Sequence, residues 1–166
     1  MIIGTQGSDS ANDEPPNGSA DHRDSAPSPP SGKEDDKGKA PKIQFGPGSV
    51  SIKLDTGGGD VDLDSTPPLV AGTIKGDDIV IGATTGAPTI STDGDVMAPI
   101  SGSGSVLSEA ECTERIEQNG TYTAELSRGA RFCVQTGEGR TAYLRTVAAP
   151  TNGPVRLEVT VWEKPS

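Results

Sequence analysis

Aromatic residues are nearly missing from this sequence: two Phe, two Tyr and one Trp among 166 residues, with only 31% hydrophobic residues in all. Ordinary soluble domains run at roughly 45–50% apolar when glycine is counted. With 22 Gly and 14 Pro besides, the apolar stock suits a folded part of about 100–125 residues rather than the whole chain. The shortage also leaves little to wall the cleft of a glycosidase, although carboxylates are plentiful. Histidine is almost absent too. The single one, His22, lies in a polar stretch, so Ser/His/Asp and Cys/His arrangements want for a base and zinc wants for ligands. No Gly-x-Ser-x-Gly elbow, phosphate loop or dinucleotide fingerprint is present, and no cofactor is expected. Positive charge is in deficit: 14 Lys and Arg against 24 Asp and Glu give a net −10 and a pI near 4.5. That balance repels a nucleic-acid backbone and disfavours anionic lipid.

Long hydrophobic runs are absent as well. Met1-Ile2-Ile3-Gly4 is too short to span a membrane or to serve as a signal peptide. Two readings stand, the native start of a soluble protein or the end of an apolar segment encoded upstream. Residues 1–42 that follow are Ser, Pro, Gly, Asp, Glu and Lys with almost nothing to bury. Low hydrophobicity with mixed charge does not offset the entropy of ordering, which predicts a disordered stalk, locally extended at Pro15-Pro16 and at Pro27-Ser28-Pro29-Pro30. The stalk holds eight acidic and five basic residues, a net of −3, so −7 belongs to residues 43–166.

What is there begins with two cysteines, Cys112 and Cys133, both in the part that reads as folded. They form no CxxC pair and have no neighbouring histidine. One disulfide, and with it an oxidising compartment, is the preferred reading over two buried thiols in a cytosolic protein. A stalk before a disulfide-bonded domain favours a tethered ectodomain, with a membrane anchor N-terminal to this chain.

From Ile43 the apolar pattern takes period two. Ser49-Val50-Ser51-Ile52-Lys53-Leu54-Asp55 and Asp60-Val61-Asp62-Leu63-Asp64 alternate strictly, predicting strands joined through Thr56-Gly57-Gly58-Gly59 as a hairpin and stopped by Pro67-Pro68. Short apolar bursts at 78–81, 87–90 and 96–100 are set apart by Gly and Asp turns. Alternation resumes at 122–126, 131–136, 141–147 and 155–162. In the last run Val155, Leu157, Val159 and Val161 form the buried face, with Trp162 on the other face or at an edge. Gly137-Glu138-Gly139 reads as a three-residue hairpin loop. One helix is predicted over 108–119: Ser108 with Glu111 makes a capping box, Gly120 suits the C′ position, and Ala110, Cys112 and Ile116 face the sheet. Many short strands with regular turns predict a mainly β fold, an antiparallel sandwich or barrel-like domain with one short helix, after a disordered tail.

Few residues carry candidate chemistry. Asp60-x-Asp62-x-Asp64 is the metal candidate, resembling the start of a calcium loop. Ser65 stands where that loop needs glycine, however, and Ala71 where it needs the closing glutamate. On a strand the three aspartates make a solvated row rather than a cage. Asp77-Asp78 and Asp93-Gly94-Asp95 read as turns. Arg140, Tyr143 and Arg145 are binding candidates as a small exposed patch, with pairing to local acids the plainer reading. Asn17-Gly18-Ser19 and Asn119-Gly120-Thr121 match the glycosylation pattern, and turn use explains both.

Three segments together, Ala110-Glu111-Cys112, then residues 132–144, then Leu157-Glu158-Val159-Thr160-Val161-Trp162, resemble a poorly characterised group of actinobacterial proteins. In these a membrane segment is followed by a low-complexity linker and a β-rich extracytoplasmic domain. The strand at Asp60–Ser65 is similar to the opening strand of that group. The resemblance implies a surface-facing module and carries over no active-site residue. The expected function is therefore a non-enzymatic extracytoplasmic binding or sensory module of a cell-envelope protein, secreted or anchored. Its partner would be a protein or an envelope ligand, its expected state a monomer. A small secreted inhibitor or effector offering a loop to a partner protein is the second reading. An enzyme acting on envelope polysaccharide through paired carboxylates is the third.

Overall fold

A computed structural model describes residues 40–54, 58–82 and 86–166. The expected stalk falls almost wholly outside them, as do Thr56 and Gly57 of the expected connection. Among the described residues ten strands and one helix follow in order: β1 (Ile43–Ile52), β2 (Gly58–Asp62), β3 (Leu69–Ala71), β4 (Ile79–Gly82), β5 (Thr89–Ser91), β6 (Val96–Ile100), α1 (Glu109–Asn119), β7 (Thr123–Glu125), β8 (Arg131–Gln135), β9 (Thr141–Ala148) and β10 (Val155–Trp162). They form two five-stranded antiparallel sheets, β1-β10-β9-β8-β6 and β3-β2-β4-β5-β7. The expected sandwich is observed, with its single helix.

Alternation decides which side chains meet between the sheets. From the first sheet come Ile52, Phe132, Val134, Leu144, Leu157 and Val159, and from the second Val61, Leu63, Ile79, Ile81 and Ile90, all essentially solvent-free. Each such side chain contributes about 1.5–3 kcal/mol on burial, so a core of β-branched and Leu residues stands in for the missing aromatics. Among the described residues Phe132 is the one buried aromatic in the core between the sheets, while Tyr143 and Trp162 are buried in a second cluster.

One expected connection is wrong. β1 and the strand after the glycines do not form a hairpin, because β1 pairs with β10 in the first sheet while β2 pairs with β3 and β4 in the second. Local alternation is the same for a hairpin and for a crossing between sheets, and the partner of each strand is a long-range choice. The domain's ladder also starts before β1, since Glu163 N–H donates to the Lys42 carbonyl at 2.7 Å.

The sandwich is nearly closed along two sides. Met97 on β6 exchanges backbone bonds with Thr121, at 3.0 and 2.7 Å, beside the edge of β7. Across the molecule Gln44 of β1 donates to the Asp64 carbonyl and the Thr66 hydroxyl. β1 is an edge strand interrupted by register shifts around Gly46-Pro47. A proline has no N–H to offer a further strand, so the irregularity protects that edge.

The helix covers the outer face of the first sheet. Ser108 accepts from the Glu111 N–H, and Glu111 accepts in return from the Ser108 N–H at 2.7 Å, the expected capping box. Cys112 and Ile116 face the sheet as expected; Ala110 is exposed. Gly120 ends the helix at φ −59°, not in the left-handed region. Its reason is space: a Cβ there would stand 2.6 Å from Val96 Cγ1 and 3.0 Å from the Ile116 carbonyl. Cys112 is disulfide-bonded to Cys133 of β8, their Cα atoms 5.2 Å apart. The bridge is buried with Tyr143 and Trp162, against Ile100, Leu107 and Ile116. Trp162 therefore lies on the opposite face from Val161, beneath the helical layer.

Candidate functional site

The polar centre of the molecule is the turn between β8 and β9. Gly139 adopts φ +78°, a conformation that glycine takes without the steric penalty a Cβ brings. The expected three-residue loop closes with Gly139 N–H donating to the Thr136 carbonyl and Thr136 N–H to the Arg140 carbonyl. The tip then reaches across to the second sheet and is held there by two carboxylates.

Asp64, just beyond β2, accepts from the Thr136 hydroxyl at 2.6 Å, the Arg140 guanidinium at 2.8 Å and the Glu138 N–H at 2.9 Å. Asp78, just before β4, takes the Gly137 N–H on Oδ1 at 2.8 Å. Its Oδ2 accepts from Leu63 N–H at 2.6 Å and more weakly from Asp64 N–H at 3.3 Å. Asp78 thus ties the hairpin tip of one sheet to the corner of the other. Hydrogen bonds to a charged acceptor contribute about 1.5–3 kcal/mol each, so this clasp is a main link between the layers outside the core.

Burial pushes the Asp78 carboxyl up to about 6. The Gly137 and Leu63 amides pull the other way, and the charges of Asp64 and Asp95 add to the rise. Asp95 and Asp77 are raised as well, each chiefly by burial. Arg140, between Asp64 and Glu138, is raised further above its already basic value by those hydrogen bonds.

The aspartate row does not stand as expected. Asp60 turns away and accepts from the Ile74 N–H at 2.9 Å. Asp62 closes its own turn, accepting from Asp64 N–H, Ser65 N–H and the Ser65 hydroxyl. β2 ends at Asp62, so Asp64 belongs to the corner and is largely buried rather than one of a solvated row. Asp62, Asp64 and Asp78 do bring oxygens within 4.8 Å of one another. Every one of those six oxygens already accepts a hydrogen bond, and the Arg140 cation sits among them. A hard cation needs open oxygens converging on one point; this arrangement is a hydrogen-bonded clasp.

Arg140, Tyr143 and Arg145 form no exposed patch. Tyr143 is buried beneath the helix with the disulfide, Arg140 is committed to Asp64 and Glu138, and Arg145 pairs with Glu158 on the neighbouring strand at 3.2 Å. Pairing with local acids accounts for both arginines. Alternation places residues 143 and 145 on one face of β9 without saying that α1 covers half of that face.

Asp78 and Thr136 are the members that the sequence did not single out. Nothing local distinguishes the buried Asp78 from its half-buried neighbour Asp77; only the approach of the β8–β9 turn does. Open grooves lie elsewhere. One, of about 680 Å³, runs past Ile100, Arg115, Asn119 and Thr121; a second gathers Lys42, Glu109 and Glu163 beside residues 164–166. Neither is lined by the clasp carboxylates. Comparison with protein-family models, curated proteins and solved structures finds no match to the chain.

Proposed function

We propose that this domain is a non-enzymatic, extracytoplasmic binding module of a cell-envelope protein. The observation that carries the reading is the Cys112–Cys133 disulfide, buried at the centre of the layer that holds α1 on the sheet. A bridge in that position persists in an oxidising compartment and stabilises a domain poor in aromatics. The resemblance to anchored envelope proteins points the same way. Among the described residues no helix is long and apolar enough to cross a membrane, so anchoring would lie with a segment outside them.

Binding is favoured over catalysis by what the carboxylates do. A glycosidase pair must flank a cleft and reach substrate. Asp78 has the raised acidity such a pair calls for, yet it is 1% exposed and spends both oxygens on backbone amides.

The test is direct. Protein exported from its native host is alkylated with and without reductant and weighed intact, then sedimented with isolated envelopes. The expected result is a two-proton mass deficit, no alkylation until reduction, and co-sedimentation. Two freely alkylated thiols would remove the compartment argument and the reading with it.

A further inference from the structure

We propose that Asn119, at the end of α1, is an N-glycosylation site, and that the first sugars of its glycan lie in the groove between α1 and the edge strands β6 and β7. The proposal rests on the extracytoplasmic reading, because the transferase acts on exported chains, and adds a modification to it.

Asn119-Gly120-Thr121 fits the acceptor pattern Asn-x-Thr with no proline between. Glu117, two residues before the asparagine, lengthens it to acidic-x-Asn-x-Thr, the form that bacterial transferases read. Three-residue matches are common by chance, and the fold is what separates this copy from a turn. Asn119 is the last residue of a helix rather than a turn position. Gly120 after it stands at φ −59° and is needed for room beside Val96. Glu117 and Asn119 are both exposed. Among the described residues the Asn119 side chain makes no hydrogen bond, whereas its neighbour Gln118 donates to Glu114 at 2.8 Å.

The second observation is the groove beside it. Arg115, one turn earlier on the same face of α1, lines it with Asn119, Ile100, Thr121 and Thr123, and its volume of about 680 Å³ is in the range of sites that seat a small molecule. β6 and β7 are the last strands of their sheets, and open edges invite a further strand. This seam does not suit one. Backbone groups alternate sides along an antiparallel strand. Met97 turns its own to Thr121, so the next outward position of β6 is Pro99, which has no N–H to offer. What remains is oxygen acceptors, the Arg115 guanidinium and the Ile100 side chain, which suit the hydroxyls and apolar ring face of a sugar.

The step is a group transfer. The Asn119 side-chain nitrogen bonds to the anomeric carbon of an oligosaccharide carried on a polyprenyl pyrophosphate and gives up one proton to a base of the transferase. The bond from that carbon to the carrier breaks, and the pyrophosphate leaves with the electron pair. In the folded domain Thr121 exchanges backbone bonds with Met97, so the transferase meets this segment before that bridge closes.

The test uses the full chain exported from its native host. It is alkylated without reductant, then reduced and digested with trypsin, and the peptide of residues 116–128 is weighed and fragmented. The expected result is no alkylation before reduction and a peptide heavier than its sequence by a series of sugar residues on Asn119. Asn119→Gln and Thr121→Ala abolish the added mass and Thr121→Ser keeps it; circular dichroism checks that each variant folds. Amides of residues 100–101 exchange several-fold more slowly in the glycosylated protein than in Asn119→Gln. A bare 116–128 peptide from disulfide-bonded protein, sugar on other residues only, added mass that survives Thr121→Ala, or equal exchange overturns the proposal and leaves the extracytoplasmic reading standing. Thiols alkylated before reduction bring down both.

Discussion

Asp78 is a carboxylate placed where burial works against its charge and three backbone amides work for it. Burial prevails, holding its acidity near 6. The native state therefore keeps this proton to higher pH than the unfolded chain does. The stability that goes with it is fully present below the ordinary carboxylate range and is lost as pH rises through about 6. Asp77 and Asp95 are shifted in the same sense. The thermal midpoint should accordingly fall between about pH 4 and pH 6. Asp78→Asn should flatten that slope while lowering stability at every pH, by about 1–3 kcal/mol, because an amide NH₂ would face one of the backbone N–H donors and leave it unpaired. Thermal melts of both proteins across that range decide it; an unchanged slope in the variant would assign the titration to other groups. Thr146 offers the opposite case. Its hydroxyl is buried in the core without a partner, so Thr146→Val should stabilise by about 1 kcal/mol, read as a rise in denaturation midpoint at constant m-value.

At the scale of elements, α1 depends on the sheet beneath it. Eleven residues make a marginal helix in isolation, even with a capping box, and only Cys112 among them is fully buried. The disulfide supplies the attachment that a broad apolar face would otherwise give. Its two ends are 21 residues apart, a loop whose closure contributes about 3 kcal/mol. Reduction, or replacement of both cysteines by serine, should lower the melting temperature by about 10 °C. It should also release α1 amides to hydrogen exchange before those of β8 and β9. Simultaneous loss of protection in helix and sheet would mean that the helix is integral to the core.

On the scale of the whole molecule, two sheets share a core of aliphatic side chains and are joined again at the rim by the clasp around residues 136–140. All of these bonds lie within residues 40–166. The composition of the preceding residues offers nothing to add to them, so deletion of 1–39 should leave stability within about 0.5 kcal/mol of the full chain. A larger loss in chemical denaturation would show those residues packing on the domain.

Most of the strands, their inward faces, the capped helix and the cysteine pair were legible in the sequence, because period-two alternation, a Ser108–Glu111 box and the presence of only two cysteines are local or nearly unique signals; the three-residue β3, just past Pro67-Pro68, was not. Residues Val155, Leu157, Val159 and Val161 could face only one way once that strand was read. Tertiary structure alone decided the rest. Which sheet takes β2, that α1 buries Tyr143, that Gly120 is needed for room beside Val96, and that Asp78 meets Gly137 across 59 positions of sequence all depend on partners distant in the chain. The same holds for Arg131 and the loop of residues 101–105 that it braces. A charged residue at the head of a strand looks solvent-facing in one dimension, and only the fold shows that four carbonyls are its surroundings.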